Sequence, residues 1–247
     1  MSLASAGVAA IIVAAMPDEL EPLLARATNV GPEVTVGNSS RYAATLAGHE
    51  VLFVRSGIGL VNASSATTAA ILSLGDLKPV VLSAGTAGGV GAGVRVGDVV
   101  VGSEYINVDA DARAFGYVLG QVPRMPASYS PREAELSLIA GTRAAAVLDE
   151  RDGSALQVGL VVSSYSFVTP ERAALITSQF PGALATDMES VAIAQVSYSY
   201  GLSFLSIRGI SDLCGPAGAD DFRTHVDDAA DRSADVVLEL LGPLLAG

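Results

Sequence analysis

The chain has 247 residues, of which 50% are hydrophobic and 16% are charged, and its 26 acidic and 14 basic side chains give a net charge of −12. A chain of this length and hydrophobicity buries enough apolar surface to fold without disulfides, which excludes an intrinsically disordered protein. The acidic balance argues against nucleic acid and anionic membranes as partners, because either would have to meet a basic face.

The rare residue types narrow the chemistry. Cys214 is the only cysteine, which excludes a disulfide framework and a zinc cluster of thiolates and favours a reducing cytoplasm. The two histidines, His49 and His225, are too few for a histidine-rich metal site. We therefore expect no metal and no cofactor, and an enzyme of this composition would transfer protons through carboxylates.

Apolar runs of strand length alternate with helical stretches along the chain. The first run, residues 8–15, lacks the basic residues of a signal peptide and is too short to span a bilayer. In chain order we predict strand 8–15, helix 18–27, strand 51–55, helix 61–74, strands 80–83 and 99–102, helix 131–147, strand 157–163, helix 188–198, strand 202–208 and helix 220–241. Most of these strands are continuously apolar, which is typical of strands covered on both faces.

This alternation predicts an α/β fold. We expect one domain over residues 1–247, with three α/β/α layers around a central mixed, mainly parallel, twisted sheet. Residues 103–130 form one long stretch without clear periodicity and are rich in aromatic side chains. Loops of this length in compact domains are usually functional, so we expect a lid or a subunit contact there.

Ligands of open α/β sheets bind beyond the carboxyl ends of the strands. The segments that follow the predicted strands there are residues 16–19, 56–59, 85–89, 167–168 and 211–212. Their glycines lack the G-x-G-x-x-G spacing of dinucleotide sites, and the chain contains no G-K-[ST]. Both absences argue against NAD and against P-loop nucleotide binding.

The charged residues of these segments could have a purely structural role instead of a catalytic one. Asp18 and Glu19 could simply complement the N-terminus of a helix, and so could Asp187 and Glu189. Arg208 ends an apolar strand, where a charge is either paired or functional.

Eight short motifs follow one another along the chain. They are AAMPDEL at 14–20, RSGIG at 55–59, AGTAGG at 84–89, VGDVVV at 96–101, DADARAFGY at 109–117, GQVP at 120–123, DMES at 187–190 and RGISD at 208–212. In this order they resemble the nucleoside phosphorylase and nucleosidase superfamily, and within it the 5′-methylthioadenosine/S-adenosylhomocysteine nucleosidases. The resemblance covers almost the whole chain. It implies a nucleoside phosphorylase-like fold and hydrolysis of the N-glycosidic bond to release adenine, in methionine salvage and S-adenosylmethionine recycling.

The resemblance also implies a role for each site residue. Asp212, oriented by Ser211, would protonate N7 of adenine, and Glu19 would activate the attacking water. Glu189 would accept hydrogen bonds from the ribose hydroxyls. The other substrate-binding residues that it implies are Thr86 and Arg208 at the water, Met188 at the sugar, Phe167 and the backbone of Val168 at adenine, and Met16, Ile58 and Phe222 in the apolar surround.

The same resemblance implies a homodimer in which the partner subunit closes the pocket for the 5′-substituent. The residues implied for that wall are Ala112, Phe115, Tyr117 and Pro123. Thr86 stands where many relatives carry Ser, Ala112 is smaller than the usual residue, and Tyr165 stands where the family often has Asp. The last two departures concern the 5′-group more than the reaction.

Three alternatives stay open. A purine nucleoside phosphorylase shares the fold but needs fixed positive groups for phosphate, and no Arg precedes Arg26 in this chain. A second alternative is another 6-aminopurine nucleosidase, acting on aminodeoxyfutalosine, adenosine or 5′-deoxyadenosine. The third, a non-catalytic nucleoside-binding protein, would be expected to lack Glu19, Glu189 or Asp212, and all three are present.

Overall fold

In this computed structural model, which describes residues 7–246, nine strands pair in one mixed sheet. The strands are β1 (Ala10–Ala14), β2 (Val34–Val36), β3 (Ser39–Leu46), β4 (His49–Arg55), β5 (Val80–Gly89), β6 (Val99–Asn107), β7 (Leu156–Ser163), β8 (Ala183–Asp187) and β9 (Phe204–Asp212). The helices are α1 (Pro17–Arg26), α2 (Leu60–Ser73), α3 (Glu133–Ile139), α4 (Ala144–Asp152), α5 (Pro170–Gln179), α6 (Ser190–Ser199) and α7 (Gly218–Ala246), with a 3₁₀ turn at Arg113–Phe115.

The sheet closes partly on itself. Its strand order is β2-β3-β4-β1-β5-β8-β7-β6-β9, and β5 also pairs with β9. Among the described residues, five of the strand pairings are parallel and four are antiparallel. The predicted α/β class and the mixed sheet are therefore confirmed.

The two faces of the sheet carry separate hydrophobic clusters. Because successive strand residues point to opposite faces, Ile12 of β1 packs in a cluster with α1 and α7, which includes Val237. Its neighbour Ile11 packs on the other face with α2 and α6, in a cluster that includes Ala66 and Ile193. Nothing among the helices of residues 7–246 is long and apolar enough to cross a membrane.

Several elements differ from the prediction. β5 continues to Gly89 rather than ending at residue 83, because the small residues that follow pair in register with β9. β6 continues to Asn107 beside β7, so the stretch 103–130 begins as a strand and not as a loop. The predicted helix 131–147 is two helices, α3 and α4, with a turn at Gly141 between them. The pattern does not predict β2, β3, β8 or α5, whose residues are too polar or too few to form an apolar run.

Strand β9 lies directly against helix α7. Every residue of β9 is buried, and its Gly209 faces the helix backbone. A Cβ at Gly209 would lie 1.9 Å from the carbonyl oxygen of Ala229. Only glycine therefore lets the strand that ends in Asp212 approach α7 this closely.

Candidate active site

A cavity of about 340 Å³ opens at the carboxyl ends of β1, β5, β8 and β9. This is the edge where an α/β sheet is expected to bind its ligand. The sequence-predicted residues that line it are Met16, Glu19, Ile58, Thr86, Phe167, Met188, Glu189, Ser211, Asp212 and Phe222. The structure therefore brings together residues that are as far apart in the chain as Met16 and Phe222.

Glu19 serves both the helix and the cavity. Its Oε2 accepts hydrogen bonds from the backbone N–H groups of Ala15 at 2.8 Å and Met16 at 3.2 Å, which caps the start of α1. Its Oε1 accepts from the backbone N–H of Thr86 at 2.8 Å and from the Thr86 hydroxyl at 2.9 Å. Four donors thus fix a carboxylate that is only 3% exposed.

Gly85 makes room for this arrangement. A Cβ there would lie 2.5 Å from Oε1 of Glu19 and 2.8 Å from Nη1 of Arg208. The glycine in the AGTAGG motif is therefore required by the close approach of two buried charged side chains to β5.

Arg208 lies behind the cavity wall rather than on it. Its guanidinium is 1% exposed and pairs with Asp187, with 2.9 Å between Nε and Oδ2. It also donates from Nη2 to the hydroxyls of Ser83 at 2.5 Å and Ser190 at 3.1 Å, and from Nε to Ser206 at 3.2 Å. The charge at the end of this strand is thus fully engaged, as a buried charge has to be.

Glu189 completes a group of three buried carboxylates. Its Oε1 accepts from the backbone N–H of Gly59 at 2.8 Å, and its Oε2 is 4.0 Å from Nη1 of Arg208. Burial raises the pKa of Glu189 to about 8, the Asp187 and Glu19 carboxylates add to this, and Arg208 opposes it.

Asp212 ends β9 beside Ser211. Its Oδ2 is 3.1 Å from the hydroxyl of Ser211, which donates to it, and its Oδ1 accepts from the backbone N–H of Cys214 at 2.9 Å. Burial raises the pKa of Asp212 above its ordinary value. A second, smaller cavity of about 40 Å³ adjoins Asp212 and is lined by Val168, Phe167 and Met188, among others.

The mouth of the cavity is apolar. The rings of Phe167 and Phe222 meet edge to face with 6.4 Å between their centroids. Ile58 and Phe167 are each 49% exposed. This rim offers apolar surface to a ligand that the cavity encloses only in part.

The residues implied for the partner wall lie outside this cavity. Ala112 is buried, Pro123 is exposed, and Phe115 is 82% exposed to solvent in the single chain. The cavity is also lined by Ala87 and Gly88, which lie in the predicted segment 85–89, and by residues for which the sequence predicts no site role, namely Ala15, Thr186, Asp187, Ala219 and Arg223. Asp187 belongs to the DMES motif, but its ion pair with Arg208 could not be predicted from the sequence, because it depends on the register of distant strands.

No set of three or more His, Cys, Asp or Glu side chains within residues 7–246 is arranged to hold a metal ion. The carboxylates of the site are instead held by backbone N–H groups, hydroxyls and one guanidinium. Such an arrangement can donate a proton, activate a water molecule and stabilise positive charge.

Comparison with known proteins gives consistent results. The profile of the Phosphorylase superfamily matches residues 9–242. The 5′-methylthioadenosine/S-adenosylhomocysteine nucleosidase of Listeria welshimeri is 39% identical over 232 residues, which cover 93% of this chain and 97% of that protein.

Two solved structures are similar in fold. The 5′-methylthioadenosine/S-adenosylhomocysteine nucleosidase of Neisseria meningitidis, in complex with methylthio-immucillin-A, superposes with a TM-score of 0.88 and 36% identity and covers 95% of this chain and 99% of that chain. The futalosine hydrolase of Helicobacter pylori gives a TM-score of 0.84 at 26% identity, over 96% of this chain and 98% of that chain.

Proposed function

The chain belongs to the phosphorylase superfamily, as its eight motifs predict, and we propose from its site that it hydrolyses 5′-methylthioadenosine and S-adenosylhomocysteine to release adenine. Relatives of that activity match nearly the whole chain at 38 to 39% identity. The observation that carries the proposal is the cluster of three buried carboxylates around the single guanidinium of Arg208: Asp187 and Glu189 lie within 4.0 Å of it, and Glu19 approaches the same point of β5 at Gly85.

Asp212 is the acid for the leaving group. An N-glycosidic bond to adenine breaks when N7 takes a proton, so the acid must hold its proton near neutral pH. Burial, which raises the pKa of Asp212, favours that protonated form. The Ser211 hydroxyl and the Cys214 N–H hold the carboxyl in place.

Glu19 is the base for water on the opposite side of the sugar. Its carboxylate lines the cavity, and the Thr86 hydroxyl donates to it, which leaves lone pairs of Oγ1 to accept from a water molecule. Arg208 acts from behind, where its Nη1 lies next to the Glu189 carboxylate. Glu189 binds the ribose hydroxyls, and Met188 packs against the sugar.

The charge of the site suits a cationic transition state. Departure of adenine leaves positive charge on the ribosyl ring, as in other glycoside hydrolyses. Because its raised pKa keeps Glu189 protonated near neutral pH, the carboxylates of Glu19 and Asp187 against the one Arg208 guanidinium supply the fixed negative potential where that charge develops, at no cost of rearrangement during the reaction.

The same charge disfavours phosphate as the nucleophile. A phosphate dianion needs several fixed cationic donors, and Arg208 is already engaged by Asp187 and by serine hydroxyls. Among the described residues that line the cavity, Arg223 is the one cation, and its side chain is 75% exposed and pairs with Asp220. Water therefore fits this site better than phosphate.

A second candidate function keeps the reaction and changes the 5′-group. The similarity to a futalosine hydrolase supports it, as does the small size of Ala112 in the implied partner wall. Adenosine and 5′-deoxyadenosine belong to the same set of candidates. The adenine and ribose contacts are shared by all of these substrates, so only the 5′-substituent distinguishes them.

One assay distinguishes these functions. The purified protein is incubated in phosphate-free buffer with 5′-methylthioadenosine, S-adenosylhomocysteine, aminodeoxyfutalosine, adenosine and 5′-deoxyadenosine, and free adenine is measured. We expect adenine and methylthioribose from the first substrate without phosphate. A ribose 1-phosphate product, or release that depends on added phosphate, would contradict hydrolysis, and a preference for aminodeoxyfutalosine would assign the second candidate function.

The oligomeric state and the cellular compartment are inferred from two further features of the chain. We infer a homodimer in which the segment with Ala112, Phe115, Tyr117 and Pro123 closes the partner's cavity, because Phe115 and Val118 are 82% and 56% exposed in the single chain. A fully active monomer in sedimentation at assay concentration would exclude it. We also infer that the described part of the predicted domain 1–247, residues 7–246, forms one three-layer domain; residues 1–6 and 247 lie outside the described residues. We further infer that the enzyme acts in methionine salvage in the cytoplasm, which the lone free Cys214 supports.

A further inference from the structure

Tyr165 precedes the cavity-lining Phe167 by two residues and has no role in the chemistry described above. It lies in the segment between β7 and α5, and 52% of its surface is exposed. The other side of its ring lies over Gly59, in the loop between β4 and α2. A Cβ on Gly59 would be 3.5 Å from Cζ and 3.6 Å from Oη of Tyr165. These are ordinary van der Waals distances, so the end of the tyrosine ring packs beside the face of Gly59 that carries no side chain.

Gly59 connects this contact to the site. Its φ is +100°, which side chains other than glycine rarely adopt. Its backbone N–H donates to Oε1 of Glu189 at 2.8 Å, the shortest polar contact that the structure gives this carboxylate. A shift of the loop at Gly59 would therefore move the hydrogen-bond donor that orients the ribose-binding carboxylate.

Tyr165 is itself anchored from the opposite side. Its backbone N–H donates to Oδ2 of Asp109 at 2.6 Å. Asp109 also pairs with Arg172 of α5 and is 3.4 Å from the hydroxyl of Ser164. Asp109 opens the DADARAFGY motif, so a series of direct contacts runs from that segment through Tyr165 and Gly59 to Glu189.

We propose that Tyr165 is a positioning residue for the recognition of ribose: its ring holds the loop at Gly59 so that the Gly59 N–H keeps Glu189 aimed at the ribose hydroxyls. The inference rests on the proposed function in one respect, that Glu189 binds the 2′- and 3′-hydroxyls. The ring does this by packing, since Cζ and Cε1 lie 3.5 and 3.7 Å from the Cβ position of Gly59. The phenol hydroxyl has no hydrogen-bond partner among the described residues, so Tyr165→Phe keeps the ring that the inference requires and Tyr165→Ala removes it.

The test uses binding, so that it does not depend on turnover. The probe is a C-nucleoside analogue of 5′-methylthioadenosine, whose carbon–carbon glycosidic bond cannot be hydrolysed, together with its 2′,3′-dideoxy counterpart. Dissociation constants are measured by calorimetry for the wild type, Tyr165→Phe and Tyr165→Ala. Tyr198→Ala is the matched control, because Tyr198 is a comparably exposed tyrosine (57%) on α6 that does not line the cavity.

We expect Tyr165→Ala to weaken binding of the diol probe roughly tenfold, the effect of one misplaced hydrogen bond to a charged group. The dideoxy probe should bind Tyr165→Ala and the wild type within about twofold of each other, because it has no hydroxyls for Glu189 to hold. Tyr165→Phe and Tyr198→Ala should match the wild type with both probes.

Equal weakening of both probes in Tyr165→Ala would overturn the proposal, since it would mean a general loss of structure or of apolar surface. Unchanged binding of the diol probe in that variant would overturn it as well. A wild type that binds the diol probe but does not cleave 5′-methylthioadenosine would refute hydrolysis and leave the test of Tyr165 intact. A wild type that does not discriminate the two probes would refute the role of Glu189, and with it the role of Tyr165.

Discussion

Glu189 makes the free energy of unfolding depend on pH in an unusual direction. The pKa of its carboxyl is raised from the ordinary value of 4.5 to about 8 in the folded protein. The folded state therefore holds a proton that the unfolded chain releases as the pH rises through 4.5. Stability from this group is complete below pH 4.5 and is lost progressively up to about pH 8.

The magnitude follows from the width of that window. Each pH unit between the two pKa values costs about 1.4 kcal/mol, so the ionised carboxyl at pH 8 and above costs about 5 kcal/mol relative to the protonated one. Glu189→Gln removes the ionisation and keeps an oxygen that can accept from Gly59. The variant should therefore be more stable than the wild type by several kcal/mol at alkaline pH, and similar to it in acid. It should lose activity, because an amide NH₂ replaces one of the two oxygens that accept from the ribose hydroxyls.

Urea unfolding of both proteins at about pH 5 and about pH 8.5 tests this. Glu133→Gln is the matched control, since Glu133 is an exposed residue in the first turn of α3. The difference in unfolding free energy between Glu189→Gln and the wild type should grow with pH, and that for Glu133→Gln should not. A difference for Glu189→Gln that is the same at both pH values would refute the reasoning, because the carboxyl would then be ionised in the folded state throughout.

Three further predictions concern individual side chains. Asp212→Asn should slow adenine release roughly 10²–10⁴-fold, and its activity should recover with a nitrophenyl riboside, whose leaving group needs no proton. Glu19→Gln should stay slow with both substrates. Equal recovery of the two variants would mean that their roles are misassigned. Arg41→Met should raise the free energy of unfolding in urea by about 1–3 kcal/mol, because this guanidinium is 2% exposed and its Nε and Nη2 have no hydrogen-bond partner among the described residues. A lower free energy of unfolding in the variant would show that the guanidinium has hydrogen-bond partners in solution. Gly85→Ala should reduce kcat/KM by about 10²-fold with the fold retained, because its Cβ would displace Glu19. The control Gly141→Ala, in the turn between α3 and α4, should leave kcat/KM unchanged. A fully active Gly85→Ala would show that the site tolerates displacement of Glu19.

The sequence predicts those strands whose residue types are typical of burial on both faces of a sheet. Continuous Val, Ile and Leu runs mark β1 and the start of β5 because such strands are covered on both faces. The tail of β5 and the strand β8 escape prediction because Gly, Ala and Thr there look like a turn, and only pairing with distant strands makes them extended.

The same limit applies to the candidate site. Glu19 and Asp212 follow strands, where α/β sheets bind ligands, so their place in the cavity could be predicted. The engagement of Arg208 by Ser83 and Asp187 could not, because it joins residues of three strands whose register is set by the whole sheet. The wall implied at Phe115 involves a second subunit, and its role stays a prediction.

The contact between Gly209 and Ala229 also limits how the cavity can open. Because no side chain separates β9 from α7 at that point, the helix is pinned to the strand that carries Asp212. Phe222 and Arg223, which line the cavity, lie on the two turns of α7 that precede Ala229. Any widening of the cavity on this side therefore has to bend or unwind those two turns, while the rest of the helix and the leaving-group acid keep a constant distance.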